Sequence, residues 1–373
     1  MGYSDFEFDV IVVGAGVMGS STAYQLAKRG QKTLLLEQFD FLHHQSSSHG
    51  DSRTIRATYP EDYYFGLVYF KAQQFDMGPS DTKSLLLVIA TCRKNTFPYQ
   101  VLNHRQVIDI LEDWIGVSCE LGGIIKPTKA VSMFQMLAFK NGACLKDNIK
   151  VVSINKDGDQ GLKVAASNGE IFWGKKCVVT VGDWMRNLVK MVCDIEFPIQ
   201  PLEANVCYWR IKDGHEVEYA IGNDFLMFTS YGHSHIFGTP LLEYSGLIKV
   251  AIHEGYQCNP DKRPWGLKLL PDSLKQQIEQ RFKGKVDSSK PVMIQLCVHS
   301  MTPDKDFMID ILGGVFRKDV VIGGGFSGYG FKTSPTIRRI LTDLGFRITR
   351  FEENPKGNIK EYEDQVGLLK STL

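Results

Sequence analysis

A nearly continuous apolar run is the first feature of the hydrophobic pattern, covering Phe8–Val13 and ending at Gly14. Apolar positions at helical spacing follow as far as Gly30, and a second apolar run covers Thr33–Leu36. Parallel strands are covered on both faces and read as continuous apolar runs, whereas a helix packed on them shows apolar residues every three or four positions. The pattern therefore predicts a β-α-β unit.

Similar short apolar runs return later in the chain and also end at glycines, at Lys175–Val181 and Asp319–Ile322. Because these runs are far apart, we expect one parallel sheet assembled from separate segments. Alternating polar and apolar stretches lie between them, at Val206–Ile211, Tyr219–Thr229 and Ile248–His253. Alternation is typical of antiparallel strands with one face buried.

These patterns predict an α/β protein, α+β overall, with a discontinuous Rossmann-type dinucleotide domain and a second, mostly antiparallel substrate domain. We assign residues 1–75, 130–200 and 297–352 to the first domain. Residues 76–129 and 201–296 form the second, and residues 353–373 form a C-terminal tail.

The glycines after the first strand have the spacing of a dinucleotide grip, with Gly14, Gly16 and Gly19 separated by Ala15, Val17 and Met18. Such glycines allow a tight turn, close approach of the backbone to a pyrophosphate, and close helix packing. Glu37 ends the second strand, where a carboxylate accepts hydrogen bonds from a ribose. Flavins and nicotinamides both use this unit, so it leaves the dinucleotide open.

Charge and cysteine content narrow the class of partner. The chain has 43 basic and 42 acidic residues, a formal net charge of +1, which gives no electrostatic case for nucleic acid or a membrane surface. Its eight cysteines are irregularly spaced, without a C-x-x-C pair for zinc or a secreted disulfide framework. We therefore expect a small-molecule partner, a reducing compartment and no metal site.

Several motifs together resemble the monomeric sarcosine oxidase and pipecolate oxidase family. They are Ser48–Arg56, Gly246–His253, Cys297–Asp304, Phe307–Asp310 and Gly324–Lys332. The matches extend from the N-terminus to about residue 345, and Cys258–Gly266 resembles the plant branch. The resemblance favours FAD; a nicotinamide-dependent dehydrogenase, the alternative enzyme class, would keep Gly14–Glu37 but leave Cys297 without a role.

The resemblance also implies roles for individual residues. Cys297 would carry FAD through a thioether, which requires a thiol able to become a thiolate. Arg56 and Lys332 would bind the substrate carboxylate, Lys332 also lying against the cofactor. Lys249 would activate oxygen by stabilising negative charge.

Further matches surround the flavin and the substrate. His49, Arg53 and His253 match residues around the flavin face and the substrate amine. Gly325, Gly328 and Gly330 precede a helix whose N-terminus would stabilise negative charge on the flavin. His299 stands where a tyrosine is common, and Phe237 lies near another position where a tyrosine hydroxyl often faces substrate. The substrate is therefore left open among sarcosine, pipecolate and related N-methyl or cyclic amino acids.

The implied reaction transfers hydride from a carbon next to nitrogen to the flavin, and O2 then reoxidises the flavin to give H2O2. We expect a monomer. A peroxisomal location follows from the resemblance, with cytoplasm as the alternative. The tail Ser371-Thr372-Leu373 loosely resembles the peroxisomal Ser-Lys-Leu signal, although threonine replaces the basic residue.

Two segments are shorter than the family pattern, within residues 63–75 and 106–114. Lost helical turns would expose apolar surface and admit water to the active site. A flavin-binding but catalytically silent paralogue or splice form is therefore a second hypothesis for the function.

Overall fold

The computed structural model describes residues 7–56, 71–103, 113–158, 161–220, 223, 225–232, 235–253, 255–262 and 272–341. The tail 353–373 and most of the two shortened segments, residues 63–70 and 106–112, lie outside these ranges. The side chain of Arg56 is also outside the description, although its backbone belongs to a strand.

The helices are α1 (Val17–Lys28), α2 (Lys83–Lys94), α3 (Pro127–Lys140), α4 (Met185–Cys193), α5 (Asp272–Phe282) and α6 (Gly330–Ile340). The strands are β1 (Phe8–Val13), β2 (Thr33–Leu36), β3 (Arg53–Arg56), β4 (Lys71–Pro79), β5 (Tyr99–Asn103), β6 (Trp114–Ile125), β7 (Cys144–Lys146), β8 (Val151–Asp157), β9 (Gly161–Ala166), β10 (Ile171–Val179), β11 (Gln200–Arg210), β12 (Met227–Tyr231), β13 (His235–Thr239), β14 (Leu247–Ile252), β15 (Tyr256–Gln257), β16 (Met293–Met301), β17 (Met308–Ile311) and β18 (Val320–Gly324).

The first sheet has the strand order β17-β18-β10-β1-β2-β7. Strands β18, β10, β1, β2 and β7 are parallel, while β17 and the β8-β9 hairpin pair antiparallel at their places in the sheet. Segments far apart in sequence therefore meet in one sheet, as predicted from the recurring apolar runs.

Both faces of this sheet are covered, which explains the continuous apolar run in β1. Ile11 and Val13 lie in a core that includes residues of α4, β8 and β9. Val10 and Val12 lie in a second core that includes residues of α1, α3 and α6. Each face requires apolar side chains, so Val10 to Val13 are all apolar, whereas Asp9 lies near the start of the strand, accepts from the Lys32 N–H and pairs with Lys175.

The second sheet has the strand order β15-β11-β14-β13-β12-β4-β6-β3, with β16 paired to β11 and β5 paired to β6. Its described pairs are antiparallel except β12 with β4. Helix α5 packs on one face through Leu274, Ile278 and Phe282. Helix α2 contributes to a smaller core with residues of β6.

The predicted strand Tyr219–Thr229 is wrong in its first part. Tyr219 ends a short 3-10 helix, Glu216–Tyr219, and β12 begins only at Met227. The ring of Tyr219 is buried against Phe225 and Phe282, with ring centroids 5.1 and 5.7 Å away. Aromatic packing against α5 therefore accounts for its apolar character, rather than a position in the sheet.

The α/β class with a discontinuous Rossmann-type sheet and a mostly antiparallel second sheet is confirmed. The boundaries predicted at 75/76 and 296/297 fall inside β4 and β16, and both strands belong to the second sheet. The exact division into domains stays a prediction.

Candidate active site

The glycine turn after β1 is packed too closely for side chains. Gly14 has φ +94°, and a Cβ there would lie 2.7 Å from the Thr180 carbonyl oxygen. A Cβ on Gly19 would lie 1.8 Å from the Gly14 carbonyl oxygen. Glycine is therefore required at both positions, for the left-handed turn and for the contact between helix and turn.

The N-terminus of α1 opens on a long cavity that residues of both sheets line. Gly16 caps the helix without a side-chain hydrogen bond, and the Val17 N–H donates to Ser48 Oγ at 3.1 Å. Gly16, Val17 and Met18 line the cavity. Free N–H groups and the positive end of a helix dipole form a site suited to an anion such as a pyrophosphate.

Glu37 is fixed at the cavity wall by backbone donors. Its Oε2 accepts from the Ala15 N–H at 2.7 Å, and its Oε1 accepts from the Gln38 N–H at 2.9 Å. His43 Nε2 lies 3.4 Å from the same Oε1. Oε1 also accepts from the Phe39 N–H at 3.3 Å, so the capacity to accept from a ribose hydroxyl lies on Oε2, which has one backbone donor and two acceptor positions.

The lining also offers an unused polar atom. Ser300 Oγ is buried and has no hydrogen-bond partner within the described part of the chain. Ser300 lines the cavity. A buried hydroxyl without a partner is costly unless a ligand or water satisfies it. Together with the glycine turn, Glu37 and the helix N-terminus, this atom fits a dinucleotide cofactor.

One face of the second sheet carries five of the predicted site residues. Side chains directly opposite each other on paired strands lie on the same face, as do every second residue along a strand. Ala204 of β11 pairs with Cys297, and Tyr208 pairs with Lys249. The same register places His299, His253, Phe237 and His235 on this face. All six residues other than Ala204 and Tyr208 line the cavity.

Arg53 lies against Cys297. Its Nη2 donates to Cys297 Sγ at 3.3 Å and to the carbonyl oxygens of Ser47 and His49 at 3.1 and 2.8 Å, while Nη1 donates to the Ser52 carbonyl at 2.9 Å. These bonds fix a positive charge beside the sulfur. Cys297 is 5% exposed and lines the cavity, so its sulfur can be reached from the cavity alone.

Lys249 is buried at the same wall. Its Nζ donates to the carbonyl oxygen and Oγ of Ser52 at 3.0 and 2.5 Å, and to Glu243 Oε1 at 3.3 Å. Burial lowers the pKa of Lys249 from 10.5 to about 8, although the Glu243 charge acts in the opposite direction. The lysine is therefore mostly a cation at neutral pH.

Imidazole rings continue the wall. The ring centroid of His253 lies 5.6 Å from that of His299 and 4.8 Å from that of His235, and Phe237 lies 6.3 Å away. Burial, and then the charges of Arg53 and Lys332, lowers the pKa of His299 to about 4. His299 is therefore a neutral ring at physiological pH.

The glycine-rich segment before α6 borders the same part of the cavity. Gly328 and Gly330 line it, and a Cβ on Gly328 would lie 3.2 Å from His253 Cε1. Lys332, in the first turn of α6, also lines the cavity, with its Nζ 4.9 Å from the Tyr329 ring centre. A second helix N-terminus and a third cation, after Arg53 and Lys249, thus face the ligand space.

Three predicted residues are not among the described residues that line the cavity and lie behind its wall. Gly19 packs behind the turn, and Gly325, at φ +64°, packs against Thr302. His49 contributes its carbonyl oxygen to Arg53, and its ring lies edge-on to His44, with centroids 5.4 Å apart. These residues support the wall, while the backbone of Arg56 lies in β3, the strand that carries Arg53.

Several residues that line or support this cavity were not among the predicted site residues. Ser48 and Ser52 lie inside a motif that was recognised, so their contacts could have been sought there. His235 lies two residues from Phe237, and strand alternation would have put it on the same face. Asp261 and Glu243 lie in connections without periodic pattern, and no local signal points to them.

No helix within the described residues is long and apolar enough to cross a bilayer. In the same ranges, no group of three or more His, Cys, Asp or Glu side chains is arranged to hold a metal ion.

Comparison with known proteins extends these observations. A family model described as FAD dependent oxidoreductase matches residues 9–77 and 66–344. A probable sarcosine oxidase of Arabidopsis thaliana is 57% identical, with 98% of each chain covered. A monomeric sarcosine oxidase of Bacillus sp. (strain B-0618) is 28% identical over 90% of this chain and 92% of its own. The solved structure of NikD, an amino acid oxidase of nikkomycin biosynthesis, is similar with TM-score 0.77 and 18% identity, over 92% of this chain and 96% of that chain.

The alignment with the Arabidopsis protein also bears on length. It runs over 408 positions, which exceeds the 373 residues of this chain by 35. At least that many positions of the alignment therefore have no residue of this chain. Because 98% of both chains is covered, most of these gaps are internal.

Proposed function

Because the chain belongs to the sarcosine oxidase family of FAD-dependent oxidoreductases and is an FAD-dependent amine oxidase, we propose that it oxidises sarcosine, pipecolate or a related secondary amino acid with O2 as acceptor. The observation that carries the proposal is the cluster of Arg53, Cys297 and Lys249 on the cavity wall, in the same cavity as the Gly14 turn and Glu37. A nicotinamide-dependent dehydrogenase is disfavoured, because the family is that of FAD enzymes.

FAD, when bound, supplies the two-electron acceptor for amine oxidation. The chain would hold its pyrophosphate at Gly14, Gly16 and the N-terminus of α1, and its ribose at Glu37. Ser300 offers a buried hydroxyl to the same ligand. This part of the proposal uses backbone groups, one carboxylate and one hydroxyl.

The covalent link is the finer part of the cofactor proposal. Cys297 would be joined to FAD through a thioether, and two contacts support it: the sulfur borders the cavity, and the Arg53 guanidinium lies 3.3 Å from it. A fixed cation beside the sulfur stabilises a thiolate during attack on an electron-poor carbon. Formation of the link would replace the thiol S–H bond and one C–H bond of that carbon by the carbon–sulfur bond; the flavin would take up the two electrons and O2 would then remove them.

The substrate carboxylate would bind at Lys332 and Arg56. Lys332 supports this role, because it is a cation on the cavity wall at a helix N-terminus. His299 stays neutral at this wall, so it orients the substrate without competing for the carboxylate as another cation. His253 and Phe237 would border the amine and its substituents.

Lys249 would act when oxygen is reduced. A buried ammonium stabilises the negative charge that O2 gains with its first electron, and burial makes that stabilisation larger than in water. Lys249 supports this role because it is 4% exposed and borders the cavity. The product would be H2O2, which favours the peroxisome as the location; a monomer remains our proposal for the assembly.

The silent paralogue is the second candidate, because this chain has no residue at 35 or more positions of its alignment with the Arabidopsis protein. In that form the chain would bind flavin without turning over an amine. It predicts a yellow protein that consumes no oxygen with any amino acid.

Two measurements on the purified full-length protein test the proposal. Acid precipitation should leave the yellow flavin in the protein pellet, whereas Cys297→Ser should release it to the supernatant. Cys144→Ser, which changes an exposed cysteine, is the matched control and should behave like the wild type. Flavin released equally from all three would refute the thioether.

The second measurement is peroxide formation with sarcosine, pipecolate and proline, with glycine as a primary-amine control. We expect peroxide with at least one secondary amine. A flavin-loaded protein that forms none would favour the silent paralogue, and a protein without flavin would refute both candidates.

A further inference from the structure

Glu243 is a buried carboxylate that the proposed function does not use. It lies in the connection between β13 and β14, and its Oε1 is 3.3 Å from Lys249 Nζ. The side chains of Lys249 and Glu243 are only 5% and 4% exposed. Glu243 is not among the described residues that line the cavity, whereas Lys249 is, so Glu243 lies behind the wall and contacts it at Lys249.

A tyrosine holds the other side of this carboxylate. Tyr208 OH donates a short hydrogen bond to Glu243 Oε2, and it lies 3.4 Å from Gln295 Oε1. Tyr208 pairs directly with Lys249 across β11 and β14, so the sheet register brings these two side chains together. Glu243 contacts both from the connection between β13 and β14, and the ion pair is buried.

We propose that Glu243 is a positioning residue for the oxygen step, holding Lys249 as a charged ammonium directed at the cavity wall. The inference rests on the proposed function, because it assigns Lys249 the oxygen step. Glu243 itself would touch neither substrate nor oxygen.

The hydrogen bonds of Lys249 explain why the carboxylate is needed. An ammonium has three N–H donors, and here they meet Ser52 O, Ser52 Oγ and Glu243 Oε1. Only the third acceptor carries a negative charge. Removal of Glu243 would leave a buried cation with two neutral acceptors, which favours loss of its proton.

Other charges around Lys249 cannot replace Glu243. The Arg53 charge and burial both lower the pKa of Lys249, whereas Glu243 raises it, as Cys297 does more weakly when ionised. A Cys297 converted to a thioether would carry no charge. From β11, Tyr208 contributes a neutral hydroxyl, since burial and the Glu243 bond raise its pKa well above the ordinary value. Thr239 faces Lys249 from β13 and is uncharged.

The experiment compares wild type, Glu243→Gln and the surface control Glu218→Gln. Glu218 forms exposed pairs with His215 and Lys285, so its replacement removes a carboxylate without touching the cavity. Trace acetic anhydride labels each full-length protein across a pH series, and peptide mass spectrometry reads acetylation of Lys249. The exposed Lys140 is the internal reference.

Because only the neutral amine reacts, the pH midpoint of Lys249 labelling reports its protonation. We expect Glu243→Gln to lower that midpoint by roughly one pH unit or more, as loss of an opposite charge at this distance does. Glu218→Gln should leave the midpoint unchanged. Equal midpoints in wild type and Glu243→Gln would overturn the inference.

Reoxidation of the reduced protein by O2 supplies the functional readout. Above its lowered midpoint, Glu243→Gln should react roughly tenfold more slowly than wild type, with the difference shrinking at lower pH as Lys249 is protonated again. A rate loss that is the same at every pH would indicate a structural defect and contradict the inference.

Two further variants separate the possible failures. Lys249→Met with a wild-type oxygen rate would refute the proposed role of Lys249, whereas the labelling midpoint would still test its pairing with Glu243. Glu243→Asp keeps the charge at a longer distance and should give an intermediate midpoint. If Glu243→Gln fails to fold, the comparison of wild type with Glu243→Asp decides, and identical midpoints there overturn the inference.

Discussion

Replacement of His299 by glutamine should make the protein less sensitive to acid. Burial lowers the pKa of His299 from its ordinary value of 6.5 to about 4, with Arg53 and Lys332 acting in the same direction. Between these two values the unfolded chain binds a proton that the folded chain does not. The stabilisation from His299 is therefore fully present above about pH 6.5 and is lost as pH falls through 4.

The magnitude follows from the size of the shift. Each pKa unit corresponds to about 1.4 kcal/mol, so lowering the pH from about 7.5 to about 4.5 should cost the wild type about 2–3 kcal/mol through this ring. His299→Gln has no group that titrates in this range and should lose that much less. The free energy of unfolding of His299→Gln at neutral pH can differ from that of the wild type for another reason, because glutamine packs differently from histidine at this position.

Urea unfolding at several pH values, followed by tryptophan fluorescence, measures this difference. His215→Gln is the matched control, since His215 is on the surface in a pair with Glu218. The quantity compared is the change in unfolding free energy between the two pH values, and not its absolute size. Parallel pH profiles for the wild type and His299→Gln would refute the argument that burial keeps this ring neutral.

Three other changes test separate parts of the site. Gly19→Ala would place a Cβ 1.8 Å from the Gly14 carbonyl oxygen, so it should cost at least about 1–3 kcal/mol and remove most bound flavin, measured as visible absorbance per protein. Lys249→Met should slow reoxidation by O2 roughly 100-fold or more while substrate still reduces the flavin anaerobically, both followed by stopped flow. Asp261→Asn weakens an acceptor of the Trp184 indole N–H at 3.0 Å, and should lower the free energy of unfolding by about 1 kcal/mol in urea titration. Gly19→Ala with unchanged flavin content would contradict the first prediction, and Lys249→Met with an unchanged rate of reoxidation by O2 would contradict the second. Asp261→Asn with an unchanged urea midpoint would contradict the third.

The first part of the fold could be predicted because its determinants are local. β1, the turn at Gly14, α1 and β2 are consecutive, and the burial of both sheet faces requires apolar residues at Val10 to Val13 of β1. The glycines are fixed by contacts of the backbone with itself, which no other residue type permits. Sequence spacing is therefore sufficient there.

The second sheet could be predicted only within single strands. Alternation relates Lys249 to His253 and Cys297 to His299, since each pair is separated by an even number of residues. It does not show that β14 and β16 both flank β11, because strand neighbours depend on contacts between distant segments. The parallel pairing of β4 with β12 likewise has no local sequence signal.

The net charge of the whole chain likewise does not reveal which charged residues meet at the site. The formal net charge of +1 gives no reason to expect a polyanion, but it hides a cavity with Arg53, Lys249 and Lys332 in its wall. Fixed acceptors surround two of these cations: backbone carbonyls for Arg53, and Ser52 with Glu243 for Lys249. A substrate carboxylate and the negative charge of reduced oxygen would enter a field that already favours them. That field depends on the pairing of distant segments, so a change in Glu243, behind the wall, should alter chemistry in the cavity without altering its shape.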